Sequence, residues 1–224
     1  MQAAADRAIE LDPLLAEAHE AQALAHARMG QWDLAERSFR RAIELDPNRS
    51  DTRAQFALWF LWVVGRNREA LEQLRIAEKA DLLSPEVQAD LALVLISARR
   101  YDEAFDHCHK MSSDDDMRSR CIGRIQLGKG RLGDAVPFLV QGAPRDAERR
   151  GFLGYVQALS GRRDEAERLA ASAEYPNEQA LIFAGLRDGD RALQALDRMA
   201  ILALNVLACI SISRNSRCCV AIRV

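Results

Sequence analysis

The sequence predicts an all-α fold, a right-handed solenoid of about five to six helical hairpins. Three observations carry this. The string Ala8-Ile9-Glu10-Leu11-Asp12-Pro13 returns intact, 34 residues on, as Ala42-Ile43-Glu44-Leu45-Asp46-Pro47. A turn sequence that opens on glycine and closes on alanine recurs along most of the chain. The composition favours helix over strand, with 6 Pro and 3 Tyr in 224 residues, and no useful run of strand alternation precedes the last segment.

The turns set the order of the elements. Gly30-Gln31-Trp32-Asp33-Leu34-Ala35 is followed 35 residues later by Gly65-Arg66-Asn67-Arg68-Glu69-Ala70, and 34 after that by Arg99-Arg100-Tyr101-Asp102-Glu103-Ala104. Gly130-Arg131-Leu132-Gly133-Asp134-Ala135 and Gly161-Arg162-Arg163-Asp164-Glu165-Ala166 each come 31 residues after the turn before, and Arg187-Asp188-Gly189-Asp190-Arg191-Ala192 is a weaker copy. Glycine ends a first helix cheaply in the left-handed region. Asp33, Asp102 and Asp164 are expected to cap the second helix. Ala35, Ala70, Ala104, Ala135 and Ala166 are small where two helices cross. Pro13, Pro47 and Pro176 stop second helices, and Pro137 is expected in the first turn of its helix.

This period and turn resemble the tetratricopeptide repeat, a helix-turn-helix unit, over roughly residues 1–199. The chain then opens in a second helix with no first helix before it. Residues 1–14 read as a partial repeat, 15–199 as the array and 200–224 as an atypical tail. The half-repeat at the start predicts a piece of a longer array or multidomain protein, or an internal start codon, and the alternative is that residues 1–11 are themselves the cap.

The resemblance implies a ligand groove lined by the first helix of each unit. By position it takes Glu17, Glu20 and Leu24 from the first full unit, and Thr52, Gln55, Trp59 and Trp62 from the second. Glu86, Ala89, Leu93 and Ile96 follow 34 residues on, then Arg120, Arg124 and Leu127, then Glu148 and Tyr155. The run 56–64 is apolar on every face, so it must be covered on all sides. Phe56 and Phe60 are assigned to the core between repeats. Trp59 and Trp62 are assigned to the groove, where paired Trp would be a hot spot, and the alternative is that both are buried. Arg120 and Arg124 suggest a basic patch. The Lys, Asn and Arg set of the family's carboxylate clamp is not assembled here, which disfavours a receptor for chaperone tails.

No catalytic, cofactor or metal site is expected. His107 and His109 flank Cys108, but residues two apart on a helix point away from each other. His19 and His26 read as packing positions. The 112–116 stretch lacks the glycine and distal Glu of a calcium loop and reads as a helix cap. Gly128-Lys129-Gly130 ends a helix, whereas a phosphate loop opens one after a strand. The net charge of -2 argues against nucleic acid as a partner of the whole chain. The apolar run 199–213 is shorter than the ~20 residues of a membrane span, and the charged start is no signal peptide. Five cysteines without a CxxC, three of them Cys209, Cys218 and Cys219, predict free thiols in a reducing cytoplasm.

The tail from 200 onward has no Asp or Glu and loses the helical period. Read one nucleotide earlier with permitted third bases, the segment from 202 can encode a Pro-containing, charge-balanced ending. That predicts a one-base deletion near codons 199–202. The alternate ending, with 154–166 and 180–186, resembles the tetratricopeptide region of bacterial regulators that carry a winged-helix, cyclase or kinase domain. The function implied is a non-enzymatic scaffold that binds a protein or peptide in the groove. The alternatives are the remnant of an enzyme whose catalytic domain lies elsewhere, or a free-standing adaptor.

Overall fold

The structure, a computed structural model, describes residues 2–112 and 116–202. Among these, every regular element is helical, and the architecture is an all-α helical repeat of the solenoid class. The proposed tail from 203 onward and the centre of the 112–116 stretch lie outside the described residues. The chain divides into two compact units, Met1–Ala98 and Arg99–Val224.

The first unit holds α1 (Gln2–Leu11), α2 (Ala16–Arg28), α3 (Trp32–Leu45), α4 (Ser50–Phe56), α5 (Asn67–Ala80) and α6 (Pro85–Ser97). The second holds α7 (Tyr101–Lys110), α8 (Asp116–Gly128), α9 (Leu132–Gly142), α10 (Ala147–Leu159), α11 (Arg163–Ser172), α12 (Pro176–Gly185) and α13 (Gly189–Leu202). Within each unit a helix packs on its neighbours in sequence, and α10 also packs on α12, two helices on. The repeated alanines behave as their spacing predicts. Ala35, Ala70, Ala104, Ala135 and Ala166 are all fully buried.

The turns follow from local chemistry. Gly30, Gly65, Gly130 and Gly161 take φ between 69° and 83°, and in each case the next residue's N–H reaches the carbonyl five back, as Gln31 does to His26 at 2.9 Å. Arg99 and Arg187 stand in the glycine position and take φ 61° and 59°. A side chain there costs about 1 kcal/mol. Arg187→Gly is therefore expected to raise the melting temperature by about 2–4 °C, read by thermal unfolding.

Between repeats, Asp12, Asp46 and Asp81 do the turning. The Oδ1 of each accepts the N–H two residues on, from Leu14 at 2.9 Å and from Asn48 and Leu83 at 3.2 Å. The expected caps Asp33, Asp102 and Asp164 do not cap. Their helices start one residue earlier, at Trp32, Tyr101 and Arg163, so these carboxylates sit inside the first turn and act on the positive helix end as charges. Side-chain caps come instead from Ser84, to the Val87 N–H, and from Asp146, to the N–H groups of Glu148 and Arg149. Pro137 lies deeper in α9 than expected, past its first turn. The carbonyl it leaves without a helical donor belongs to Gly133, four residues back.

One sequence irregularity has a direct structural answer. In the second repeat Gly65 follows Asp46 by 19 positions, whereas Gly30 follows Asp12, and Arg99 follows Asp81, by 18. The extra residue is absorbed in a π-helical turn, Ala57–Leu61, that continues α4. The Trp62 N–H reaches the Ala57 carbonyl at 2.8 Å, five residues back. A π turn inserts one residue without breaking the helix, and it rotates everything after it.

The structure also joins Cys108 to Cys121 by a disulfide between α7 and α8. This corrects the expectation of free thiols, because α7 and α8 come together as neighbours through a short connection that sequence spacing did not mark as a bridge. No helix among the described residues is long and apolar enough to cross a membrane.

Candidate functional site

The π turn decides where the aromatic residues of the second repeat point. Phe56 and Phe60 enter the core, as expected. Phe56 stacks on Phe60 at 5.6 Å and contacts Phe39 at 5.3 Å, and Trp32 closes on Phe60 at 6.3 Å. Trp62 is also in the core, 2% exposed, and its indole N–H donates to the Ser97 hydroxyl at 3.1 Å. It is not a groove residue. Counted from the turns, Trp62 aligns with Ala27 and Ile96, both buried, so this column is the core column of the first helices.

Trp59 is different. It stays half-buried at the surface of the first unit, and the Arg28 guanidinium lies 5.8 Å from its ring centroid. Arg28 comes from α2, so the pair spans the first helices of two successive repeats. Gln55 is half-buried one turn before Trp59, and its side-chain oxygen is buried without a hydrogen-bond partner. Leu24, which aligns with Trp59, is likewise half-buried.

The remaining positions separate. Thr52 is fully buried, and its hydroxyl donates to Glu20, which Arg49 also pairs at 3.3 Å. Leu93 and Ile96 are buried. Glu86 is exposed and accepts from the Ser84 hydroxyl at 3.1 Å. Glu86 and Ala89 were placed one residue out of register. Before the π turn the second and third repeats are offset by 35, so Val87 matches Thr52 and Asp90 matches Gln55. Burial agrees, with Val87 buried like Thr52 and Asp90 half-buried like Gln55.

In the second unit the expected basic patch is neutralised. Arg124 holds Glu148 through two hydrogen bonds, at 2.9 and 2.5 Å. Arg120 pairs with Asp146 at 3.1 Å. Arg149, 2% exposed, reaches Asp116 at 2.8 Å and Asp146 at 3.3 Å. Tyr155 is buried in the cluster built on Leu139, Leu153 and Val156. These arginines and carboxylates bind helix to helix and leave no uncompensated positive surface between them.

Burial pushes the Glu148 carboxyl up, but the charge and hydrogen bonds of Arg124, with Arg120 and Arg149 behind it, outweigh burial and hold it below the ordinary value. A depressed carboxyl contributes stability above the unfolded-state value, about 4.3, and loses it as pH falls through the lower folded value. Melting curves taken from pH 6 downward should show this. Wild type is expected to lose stability more steeply below about pH 4 than Glu148→Gln, which starts lower at neutral pH.

Sequence reasoning missed two features. Arg28 gave no signal, because a basic residue at a helix end is ordinary. A cleft of ≈ 450 Å³ in the second unit is lined by Glu174, Gln179, Phe183, Arg191, Gln194 and Arg198. The Arg191 guanidinium lies 4.4 Å from the Phe183 ring centroid and is held by Glu167 and Asp188. No group of three or more His, Cys, Asp or Glu among the described residues is arranged to hold a metal.

Residues 16–49, which span α2, α3 and their flanking turns, match the family profile of the tetratricopeptide repeat. The fold is that of tetratricopeptide-repeat proteins. It is similar to a tetratricopeptide repeat protein from Parabacteroides merdae, with a TM-score of 0.71 at 13% identity over 95% of this chain and 90% of that one. The type IV pilus biogenesis factor PilW gives a TM-score of 0.65 at 16% identity, over 87% and 88% of the two chains. Pseudomonas aeruginosa PilF gives 0.59 at 18%, over 84% and 91%. No curated protein matches the chain in sequence.

Proposed function

We propose that this chain is a non-enzymatic protein–protein interaction scaffold, and that its first unit holds a protein or peptide segment on the face shared by α2 and α4. The observation that carries this is the Arg28–Trp59 pair, which presents a large, partly accessible aromatic side chain across two successive repeats. A half-buried Trp held in place by its neighbours costs little side-chain entropy on binding, and such residues dominate interface energetics. A partner with an apolar side chain would use this face. The neutralised second-unit arginines make a purely acidic ligand the poorer fit.

The test starts from a partner isolated with the intact chain and measures its affinity by calorimetry. Trp59→Ala is expected to weaken binding at least about tenfold with little change in melting temperature. Unchanged affinity would remove Trp59 from the interface. Trp62→Ala is no test of binding, since that side chain is core.

The finer assignment is to the repeat region of a bacterial regulator. Its support is the sequence likeness of 154–166 and 180–186. The nucleotide sequence on both sides of the coding region tests it. An in-frame effector domain upstream would support it, and a separate start with its own ribosome site would favour a free-standing adaptor.

A further inference from the structure

We infer that Cys108 and Cys121 form a redox latch that controls the docking of α7 on α8. The bond joins the last turn of α7 to the first half of α8, 13 residues apart in sequence, with the Cα atoms 5.9 Å apart. Both residues are buried, Cys108 completely and Cys121 to within 5%.

The repeat explains why α7 depends on the bond. Counted from the turns, Cys108 occupies the position that Phe39 and Leu74 hold in the two preceding second helices and Leu139 holds in the next. All four are buried. Phe and Leu fill the crossing with a large apolar side chain, whereas Cys108 supplies a single sulfur. In the oxidised chain the Cys121 sulfur completes the contact covalently. In the reduced chain the covalent tie is lost and the two sulfurs must part to non-bonded contact, so the crossing that Phe39, Leu74 and Leu139 hold by packing loses what holds it here.

Other ties of α7 are of the kind that yield more easily. The Tyr101 hydroxyl donates to the Gly128 carbonyl at 2.7 Å, and Lys129 pairs with Asp102 at 3.0 Å, with the Asp102 side chain almost fully exposed. An exposed ion pair contributes little. The turn into α7 carries Arg99 at φ 61°, where most of the other turns use glycine.

The chemistry needs a dithiol reductant. Its thiolate attacks one sulfur, the Cys108–Cys121 bond breaks, and each cysteine takes up one electron and one proton. The reductant leaves as its own disulfide. Because both sulfurs are buried, attack requires α7 to open first, so the docked form resists reduction and the reduced form stays looser. The latch is built from residues of the second unit alone and does not rest on the proposed Trp59 surface.

The experiment uses the full chain and follows hydrogen exchange at α7 by mass spectrometry, with and without a dithiol reductant. Differential alkylation with peptide mapping reports Cys108 and Cys121 apart from the other cysteines. In the oxidised chain both resist alkylation and α7 exchanges slowly. Reduction is expected to speed exchange in α7 at least about tenfold and to leave α12 unchanged. Cys108→Leu restores the side chain of the neighbouring repeats and removes the bond, so its α7 should exchange slowly whatever the redox state. Free thiols at both positions after treatment with oxidised glutathione would overturn the latch. So would α7 exchange that ignores reduction, or a Cys108→Leu chain that exchanges as fast as reduced wild type.

Discussion

Trp62→Ala is expected to cost the chain about 3–5 kcal/mol of stability, read as the loss of unfolding midpoint in denaturant. The side chain is 2% exposed and sits in the column shared by Ala27 and Ile96. It is the largest residue of that column, so its removal opens a cavity that neighbouring helices cannot close without moving. Its N–H also satisfies Ser97, whose hydroxyl in turn donates to the Val94 carbonyl at 2.7 Å. Losing one buried donor adds about 1 kcal/mol. Trp62→Phe separates the two contributions. It keeps most of the volume and removes the hydrogen bond, and is expected to cost about 1–2 kcal/mol. Equal losses in the two variants would mean that packing around Trp62 is not what holds the repeat.

Gly185→Ala tests a conflict between propensity and packing. Replacing glycine by alanine within a helix ordinarily stabilises it by about 0.5–1 kcal/mol. Here the new Cβ would stand 2.8 Å from the Tyr155 carbonyl oxygen, 2.9 Å from the Tyr155 Cα and 3.1 Å from the Ala158 Cβ. The first two atoms are backbone of α10 and have no rotamer to change. α12 must retreat from α10 along the contact that builds this unit, and overpacking of this kind costs about 1–3 kcal/mol. Packing wins, with an expected net loss near 2 kcal/mol, and Gly185→Leu is expected to lose about 3 kcal/mol or more. Gly133→Ala is the control, since a Cβ there meets nothing within 4 Å. If Gly185→Ala raised the melting temperature as Gly133→Ala does, the close approach of α10 and α12 would be wrong.

Much of the fold was legible because its signals are local. The turn residues, the small alanine after each turn and the Asp-Pro stop lie within a few residues of the structure they produce. Even the substituted turns at Arg99 and Arg187 keep the positive φ that their alignment requires. The caps were misread by a residue or so, which is the usual uncertainty of a helix boundary. The ligand-facing residues were less legible. Their assignment depends on helix register, and one extra residue in the second repeat turned Trp62 inward and moved the third repeat's positions from Glu86 and Ala89 to Val87 and Asp90. The 35-residue spacing from Gly30 to Gly65 was visible, but nothing local says where in the helix the added residue is absorbed.

The basic patch failed for another reason. Arg124 and Glu148 are 24 residues apart, and Arg149 and Asp116 are 33 apart, so the neutralising partner is in another helix. The Cys108–Cys121 bond and the Arg28–Trp59 pair are contacts of the same kind, made between residues whose spacing carries no period. That the protein is a run of helical hairpins, where each turns, and which small residues lie at the crossings can be read along the chain, because turn and helix chemistry act within one repeat. Which aromatic residue faces outward, which charges cancel and which cysteines meet depend on how one helix is rotated against the next, and that emerges from packing alone.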